Sequence, residues 1–221
     1  APYMLDLRWA PVTGALVLLE ECGKRGIYMV HLGSGCIYEG DNGGRGFSEE
    51  DAPNFFGSYY GRTKAWIDQM LAEFPARPDG TGGVLILRLR MPFDHTGSPK
   101  SLINKIRNYK RLLDTQNSLT YMPDFLKAAD TLIRRRAIGT YNVVNPGTLS
   151  PFDIMTLYKE IIDPSHEFTA IKAEQILEVA RVGRSNCVLS TSKLAEEGIV
   201  MTPVEEAMKA SLRALAASER T

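Results

Sequence analysis

At 221 residues the chain is long enough for one sizeable core or two small ones. Its 44% hydrophobic and 24% charged content is ordinary for a soluble globular protein. Twenty-six basic residues cancel twenty-six acidic ones, which removes the electrostatic case for a nucleic-acid or membrane partner and leaves little net repulsion against self-association. The longest apolar runs, such as Gly14 to Leu19 and Val84 to Leu87, are too short to span a bilayer. Three cysteines, Cys22, Cys36 and Cys187, form no Cys-x-x-Cys pair. An odd, scattered set argues against a disulfide scaffold or zinc site and for the cytoplasm or another reducing compartment. No secretory signal is visible, and the start at Ala1-Pro2 reads as processed, trimmed or fragmentary.

The first ten residues have no clear period. Pro11 opens a helix in which Val12, Ala15, Leu16, Leu19 and Cys22 recur at helical spacing, and Gly23 and Gly26 end it. Ile27 to Leu32 predicts a strand buried on both faces, as in a parallel sheet. Gly40 to Gly46 is a loop. Asn54 is placed to cap a long helix reaching Phe74, and Ala76 to Gly83 is a Pro/Gly turn region. Val84 to Arg90 is the second strand. A basic helix is expected from Ser101 to Leu113, and Pro123 starts another that ends near Gly139. Tyr141 to Asn145 is the third strand. Ser150-Pro151 and Thr202-Pro203 are helix starts, with further helices over Lys172 to Val182 and Leu189 to Glu197 between them. Strand and helix alternate at least three times, which predicts an α/β fold with a parallel sheet. Residues 1–147 are read as the sheet part and 148–221 as a small, mostly helical lobe.

The chemistry lies at a strand end, where open α/β sheets bind ligands. Ser34-Gly35-Cys36 closes the first strand, and Tyr60 and Lys64 lie four apart on the helix that follows, so they share a face. A tyrosine beside an ammonium can exchange a proton with a carbonyl or alcohol oxygen as hydride moves, while a serine hydroxyl holds the same oxygen. Tyr-x-x-x-Lys is by itself a weak motif, and Tyr59 is an adjacent competitor; the strand-Ser-loop-helix order gives it its weight.

With these residues the chain resembles the extended short-chain dehydrogenase/reductases that act on nucleotide sugars. Within them it is most similar to the bifunctional 3,5-epimerase/4-reductases of plant and viral UDP-rhamnose synthesis. The matching stretches are Gly35 to Tyr38, Phe47 to Asp51, Pro53 to Ala65, Leu87 to Pro92, Leu102 to Ile106, Asn142 to Gly147, Arg184 to Asn186 and Ser192 to Leu194. The resemblance implies that Ser34, Tyr60 and Lys64 are the reductase triad and that Cys36 and Lys105 are the epimerising pair. Bland alternatives stand beside these roles: a small buried thiol for Cys36, a solvated helix face for Lys105. The resemblance also puts Arg184 and Asn186 against the nucleotide of the substrate, where a guanidinium suits a diphosphate. Asn104 and Arg111 are further candidates for the sugar pocket. His31, His95 and His166 share no metal-ligand spacing and carry no role. Gly40 to Gly46 is not a phosphate cradle, since no helix follows directly. Arg134 to Arg136 reads as a solvated helix end.

Members of this family begin with a strand, a glycine-rich phosphate loop and a helix that hold NADPH or NADH. Nothing like that loop precedes Ser34. The expectation is therefore a Rossmann-like sheet without its N-terminal dinucleotide-binding half, with Tyr60 and Lys64 the residues left to touch the cofactor. The first strand is then expected to have an open edge, covered by a second copy or a partner subunit. Three readings stay open: the catalytic part of an epimerase/reductase, a non-catalytic subunit that kept the fold, and a nucleotide-sugar-binding regulatory module.

Overall fold

The computed structural model describes residues 10–98, 100–178 and 183–218. Its central sheet is parallel, in the order β1 (Met29–Ser34), β2 (Val84–Leu89), β6 (Gly139–Asn142). Two short parallel pairs lie outside it: β3 (Pro92–Phe93) with β5 (Thr120–Tyr121), and β4 (Arg111–Leu113) with β7 (Thr169–Ile171). Helix α1 (Ala10–Arg25) turns Ala15 and Leu19 onto one side of the sheet, against Ile67 and Leu71 of α2 (Tyr59–Ala72) and Met29, Val84 and Ile86 of the strands. Lys24 and Arg25 in the last turn of α1 suit the negative end of its dipole, and Gly26 leaves the helix at φ +65. On the other side, Leu85, Leu87, Tyr141 and Val143 pack against Phe125, Ala128, Ala129 and Leu132 of α4 (Met122–Arg134).

The first strand departs from the expected burial on both faces. In register, Val30 lies beside Leu85 and Leu32 beside Leu87. Yet Leu85 and Leu87 are buried while Val30 and Leu32 are 37% and 54% exposed. Helix α4 covers β2 and β6 and stops short of β1, and among the described residues β1 pairs only with β2. Among the described residues the expected open edge is thus present, beside an uncovered apolar face. His31 sits in β1 as a half-buried side chain whose imidazole is pushed down to about 4, first by burial and then by Lys64, so it is neutral near pH 7.

Three helix expectations need correction. Ser58, not Asn54, caps α2, its Oγ accepting from Gly61 N at 3.0 Å. Asn54 instead ties Glu39, accepting from its N at 2.8 Å and donating to its carbonyl at 3.0 Å. The basic helix stops after α3 (Leu102–Ile106), because Leu112 and Leu113 are buried in β4. Residues Ala173–Glu178 form a 3-10 helix, and the remainder of the helix expected to Val182 lies outside the described residues. Two other helix starts agree, α5 (Pro151–Ile161), which opens on a reciprocal capping box between Ser150 and Asp153, and α7 (Val204–Ser218), whereas α6 spans Ser192–Glu196 and begins three residues after the expected Leu189, which bridges to Phe47 instead. Helices α3, α5 and α7 bury Ile103, Ile106, Ile154, Met155, Met208 and Leu212 in one cluster, which also takes in Phe93, Leu112 and Leu119. Among the described residues no helix is long and apolar enough to cross a membrane.

Candidate active site

The chain leaves β1 at Ser34 and enters a 3-10 turn, Gly35–Ile37, capped by Ser34 itself, whose Oγ accepts from Cys36 N at 3.2 Å. Ile37 and Tyr38 then enter a buried cluster with Phe47, Ala65, Val144, Cys187 and Leu189, and the Tyr38 and Phe47 rings stack at 4.5 Å. Lone bridges pair Gly40 with Cys187 and Phe47 with Leu189. Ser185 Oγ donates to the Tyr38 carbonyl at 2.6 Å. Two segments about 150 residues apart in sequence are therefore laid side by side at the C-terminal end of β1.

Helix α2 delivers the tyrosine. Gly61 packs so tightly on the 3-10 turn that a Cβ there would meet Phe55 Cδ1 at 2.9 Å and the Cys36 carbonyl oxygen at 3.1 Å. With this close approach the Tyr60 hydroxyl lies 3.4 Å from Ser34 Oγ. The separation is long for a hydrogen bond. Gly61→Ala tests the fit. Alanine gains about 1 kcal/mol of helix propensity, but a backbone oxygen cannot swing aside and overpacking costs about 1–3 kcal/mol. The variant is expected to melt below wild type in a thermal unfolding scan; an increase would show that the contact relaxes freely.

Lys64 lies one turn beyond Tyr60, half-buried, its Nζ donating to the Leu32 carbonyl at 3.0 Å. Burial lowers the Lys64 pKa, with Asp68 and Cys36 opposing the shift. The ammonium is thus moored to the open edge strand and senses the Cys36 sulfur. Two more donor hydrogens on Nζ remain for a ligand at the exposed edge.

The other predicted residues are distributed unequally. Cys36 is partly buried and joins the group through its sulfur, which accepts from Arg90 Nη1 at 2.7 Å. Lys105 is exposed on α3, and among the described residues no side-chain bond joins it to Ser34, Cys36 or Tyr60. Asn104 is buried; its Nδ2 donates to the carbonyls of Ser98 (3.0 Å) and Thr96 (3.4 Å), while Oδ1 has no partner among the described residues. Asn104 thus shapes the loop ahead of α3. Arg184 is exposed, and Asn186 Oδ1 accepts from Asn117 Nδ2 at 3.3 Å. Sequence reasoning passed over Arg88, Arg90, Asn117 and Asp68. The available signal was the pair of arginines in an otherwise apolar strand, since a charge in a buried strand requires a partner. Surface hollows beside α7 and between α4 and Val200 are lined by none of these residues.

Comparison with known proteins places this arrangement in a family. The family described as RmlD substrate binding domain matches residues 9–217. A bifunctional dTDP-4-dehydrorhamnose 3,5-epimerase/dTDP-4-dehydrorhamnose reductase of Arabidopsis thaliana is 34% identical over 203 residues, covering 89% of this chain and 65% of that protein. A trifunctional UDP-glucose 4,6-dehydratase/UDP-4-keto-6-deoxy-D-glucose 3,5-epimerase/UDP-4-keto-L-rhamnose-reductase of the same plant is also 34% identical over 203 residues, 89% of this chain and 29% of that protein. The chain therefore spans less than two thirds of either. The crystal structure of a UDP-rhamnose synthase from Acanthamoeba polyphaga mimivirus superposes with a TM-score of 0.82 at 33% identity, over 91% of this chain and 69% of that one. A dTDP-4-dehydrorhamnose reductase from Bacillus anthracis, solved with NADP, superposes at 0.71 with 17% identity over 93% of this chain and 71% of that one, a likeness of fold alone.

Proposed function

The chain belongs to the RmlD substrate binding domain family, and from that premise we propose that it is the proton-transfer and sugar-binding part of a nucleotide-sugar 3,5-epimerase/4-keto-reductase. The substrate in this reading is UDP-4-keto-6-deoxyglucose and the product UDP-rhamnose, with dTDP the competing nucleotide. The observation that carries it is the meeting of the Tyr60 hydroxyl with Ser34 Oγ, two residues before the thiol of Cys36. A C4 ketone acidifies the hydrogens at C3 and C5. Cys36 exchanges a proton at these carbons on one face of the ring, and Lys105 serves the opposite face once the substrate brings α3 into the site. Tyr60 then gives its proton to O4 while Ser34 holds that oxygen, and Lys64 stabilises the phenolate left behind. Arg184 and Asn186 hold the nucleotide end, with Asn104 shaping the sugar pocket.

The donor set fits a nicotinamide cofactor: Lys64 has unused hydrogens beside the exposed Leu32, and Tyr60 is 53% exposed. A reduced nicotinamide, when bound, supplies the hydride that C4 receives. Tyr60 and Lys64 would touch it, and we place the grip on its pyrophosphate outside these 221 residues. The nucleotide-binding half then covers the open edge of β1, and 148–221 serves as the substrate lobe. Three free cysteines suit the cytoplasm or another reducing compartment.

Full-length protein given NADPH and UDP-4-keto-6-deoxyglucose is expected to consume NADPH and release a UDP-deoxyhexose inverted at C3 and C5. No consumption where a reference rhamnose synthase turns over would overturn the reading and leave a non-catalytic subunit. Cys36→Ala is expected to stop deuterium exchange at C3 and C5 by about 10²-fold or more. It should still reduce a keto sugar supplied already epimerised. Exchange that persists removes the thiol from the mechanism.

A further inference from the structure

The end of β2 holds two buried arginines with different electrostatic settings. Arg88, 4% exposed, has a carboxylate partner in Asp68. Arg90, 3% exposed, has none within ion-pair distance among the described residues. A guanidinium stays charged in a protein, and a buried charge without a counter-charge is strongly unfavourable. Its fork is nonetheless occupied. Nη1 donates to Cys36 Sγ at 2.7 Å, and Nη2 donates to Asn117 Oδ1 at 2.6 Å and to the Ser185 carbonyl. Nε is buried without a partner among the described residues. Among the described residues, every protein acceptor on this cation is neutral except one that can ionise, the Cys36 sulfur.

We propose that Arg90 is the positioning residue of the thiol: it holds Cys36 as the thiolate that counterbalances its own buried charge, and it ties that sulfur to the segment proposed to carry the nucleotide. This deepens the proposed proton exchange at Cys36 and rests on it for its catalytic meaning.

The surroundings support a built arrangement. Arg90 N donates to Thr120 Oγ1 at 3.0 Å, and that fully buried hydroxyl donates on to the Val143 carbonyl at 2.9 Å. The next residue, Met91, is held at φ +40, an uncommon conformation for a side chain of its size. Gly35 leaves room for Leu189, whose Cδ1 a Cβ there would meet at 2.7 Å, and Arg90 Cδ lies beside it in ordinary contact at 3.4 Å. The second sulfur nearby does not compete. Burial pushes the Cys187 thiol up, and its Sγ donates to the Gly35 carbonyl at 3.1 Å. Asn117 connects the fork to the nucleotide segment, because its Oδ1 also accepts from Cys187 N at 3.1 Å and its Nδ2 donates to Asn186 Oδ1 at 3.3 Å. A nucleotide that displaces the segment around Ser185 and Asn186 therefore pulls on the group that aims the thiol.

The test needs no turnover. Full-length protein is labelled with iodoacetamide at pH 7, and Cys36 and Cys22 are followed by peptide mass spectrometry. Since only the thiolate is alkylated, Cys36 in Arg90→Gln is expected to react about tenfold more slowly than in wild type. Arg90→Lys should stay within about threefold of wild type, with Cys22 unchanged throughout. Equal Cys36 rates in wild type and Arg90→Gln, or equal slowing in both variants, overturn the proposal. A second comparison leaves Arg90 in place, so it does not depend on the fold tolerating its loss. Cys36→Asp, which supplies a carboxylate, is expected to melt above its neutral isostere Cys36→Asn. The reverse order would show that the guanidinium needs no anion there. If both expectations hold while the protein fails to exchange C3 and C5 protons, the proposed function falls and the Arg90–Cys36 pair stands.

Discussion

Tyr60→Phe is expected to lower NADPH-dependent 4-keto reduction by about 10²- to 10⁴-fold, the range for losing a positioned general acid. The substitution removes one oxygen and keeps the ring, so the close packing of Gly61 on the 3-10 turn is untouched. Only the hydroxyl that lies 3.4 Å from Ser34 Oγ disappears. Because the lost interaction belongs to the reduction step, KM should change little and kcat should carry the effect. Deuterium exchange at C3 and C5 should survive, since the Cys36 sulfur is held by Arg90, and only the Cys36 backbone N–H shares Ser34 Oγ with Tyr60. Steady-state NADPH consumption and NMR exchange on the same variant check both halves. If exchange and reduction fall together, the two proton-transfer systems are not independent and the roles given to Tyr60 and Cys36 must merge.

Much of this division was legible in the chain before any coordinates. The apolar strand ending in Ser34, the helix bearing Tyr60 and Lys64, and the strand at Val84 each rest on local pattern, and each formed close to its expected place. The misplaced features depend on distant residues. Leu112 and Leu113 fit a basic helix by spacing but are drawn into pairing with Ala170 and Ile171, 58 residues on. Asn54 has the chemistry of a helix cap, yet Ser58 lies nearer the start of α2 and Asn54 finds Glu39 instead. Burial of β1 was overestimated because an apolar run looks the same whether or not a helix covers its second face. Arg90 carries no local signal for its role, since its partners come from residues 36, 117 and 185. Local motifs therefore reveal the reactive groups, while the groups that aim them emerge only when the chain is folded.

The largest effect on stability is expected at Asp68. It sits on α2 one turn beyond Lys64 and, at 2% exposure, faces Arg88 of β2. The Arg88 guanidinium grips both carboxylate oxygens: Nε lies 3.2 Å from Oδ1 and 3.0 Å from Oδ2, and Nη2 lies 2.5 Å from Oδ1. Its remaining nitrogen, Nη1, donates to Tyr38 OH at 3.0 Å and to the Glu49 carbonyl at 3.3 Å. Burial pushes the Tyr38 phenol up to about 12, so it stays neutral and donates to the Asp51 carbonyl at 2.7 Å. Every other acceptor on Arg88 is thus uncharged. Asp68→Asn leaves a buried cation unpaired, which costs about 3–5 kcal/mol. For a domain of this size that is a fall of roughly 10 °C or more in melting temperature. Restoring balance by removing the cation as well, in Asp68→Asn with Arg88→Met, should recover a large part of the loss, because the penalty belongs to the unpaired charge. Urea unfolding of the two variants and wild type decides it. A single variant within about 1 kcal/mol of wild type would mean that water reaches Arg88. The same ion pair clamps the helix that carries Tyr60 and Lys64 to the strand that leads directly into Arg90. Its loss should therefore lower reduction and slow Cys36 alkylation together, whereas Tyr60→Phe affects reduction alone.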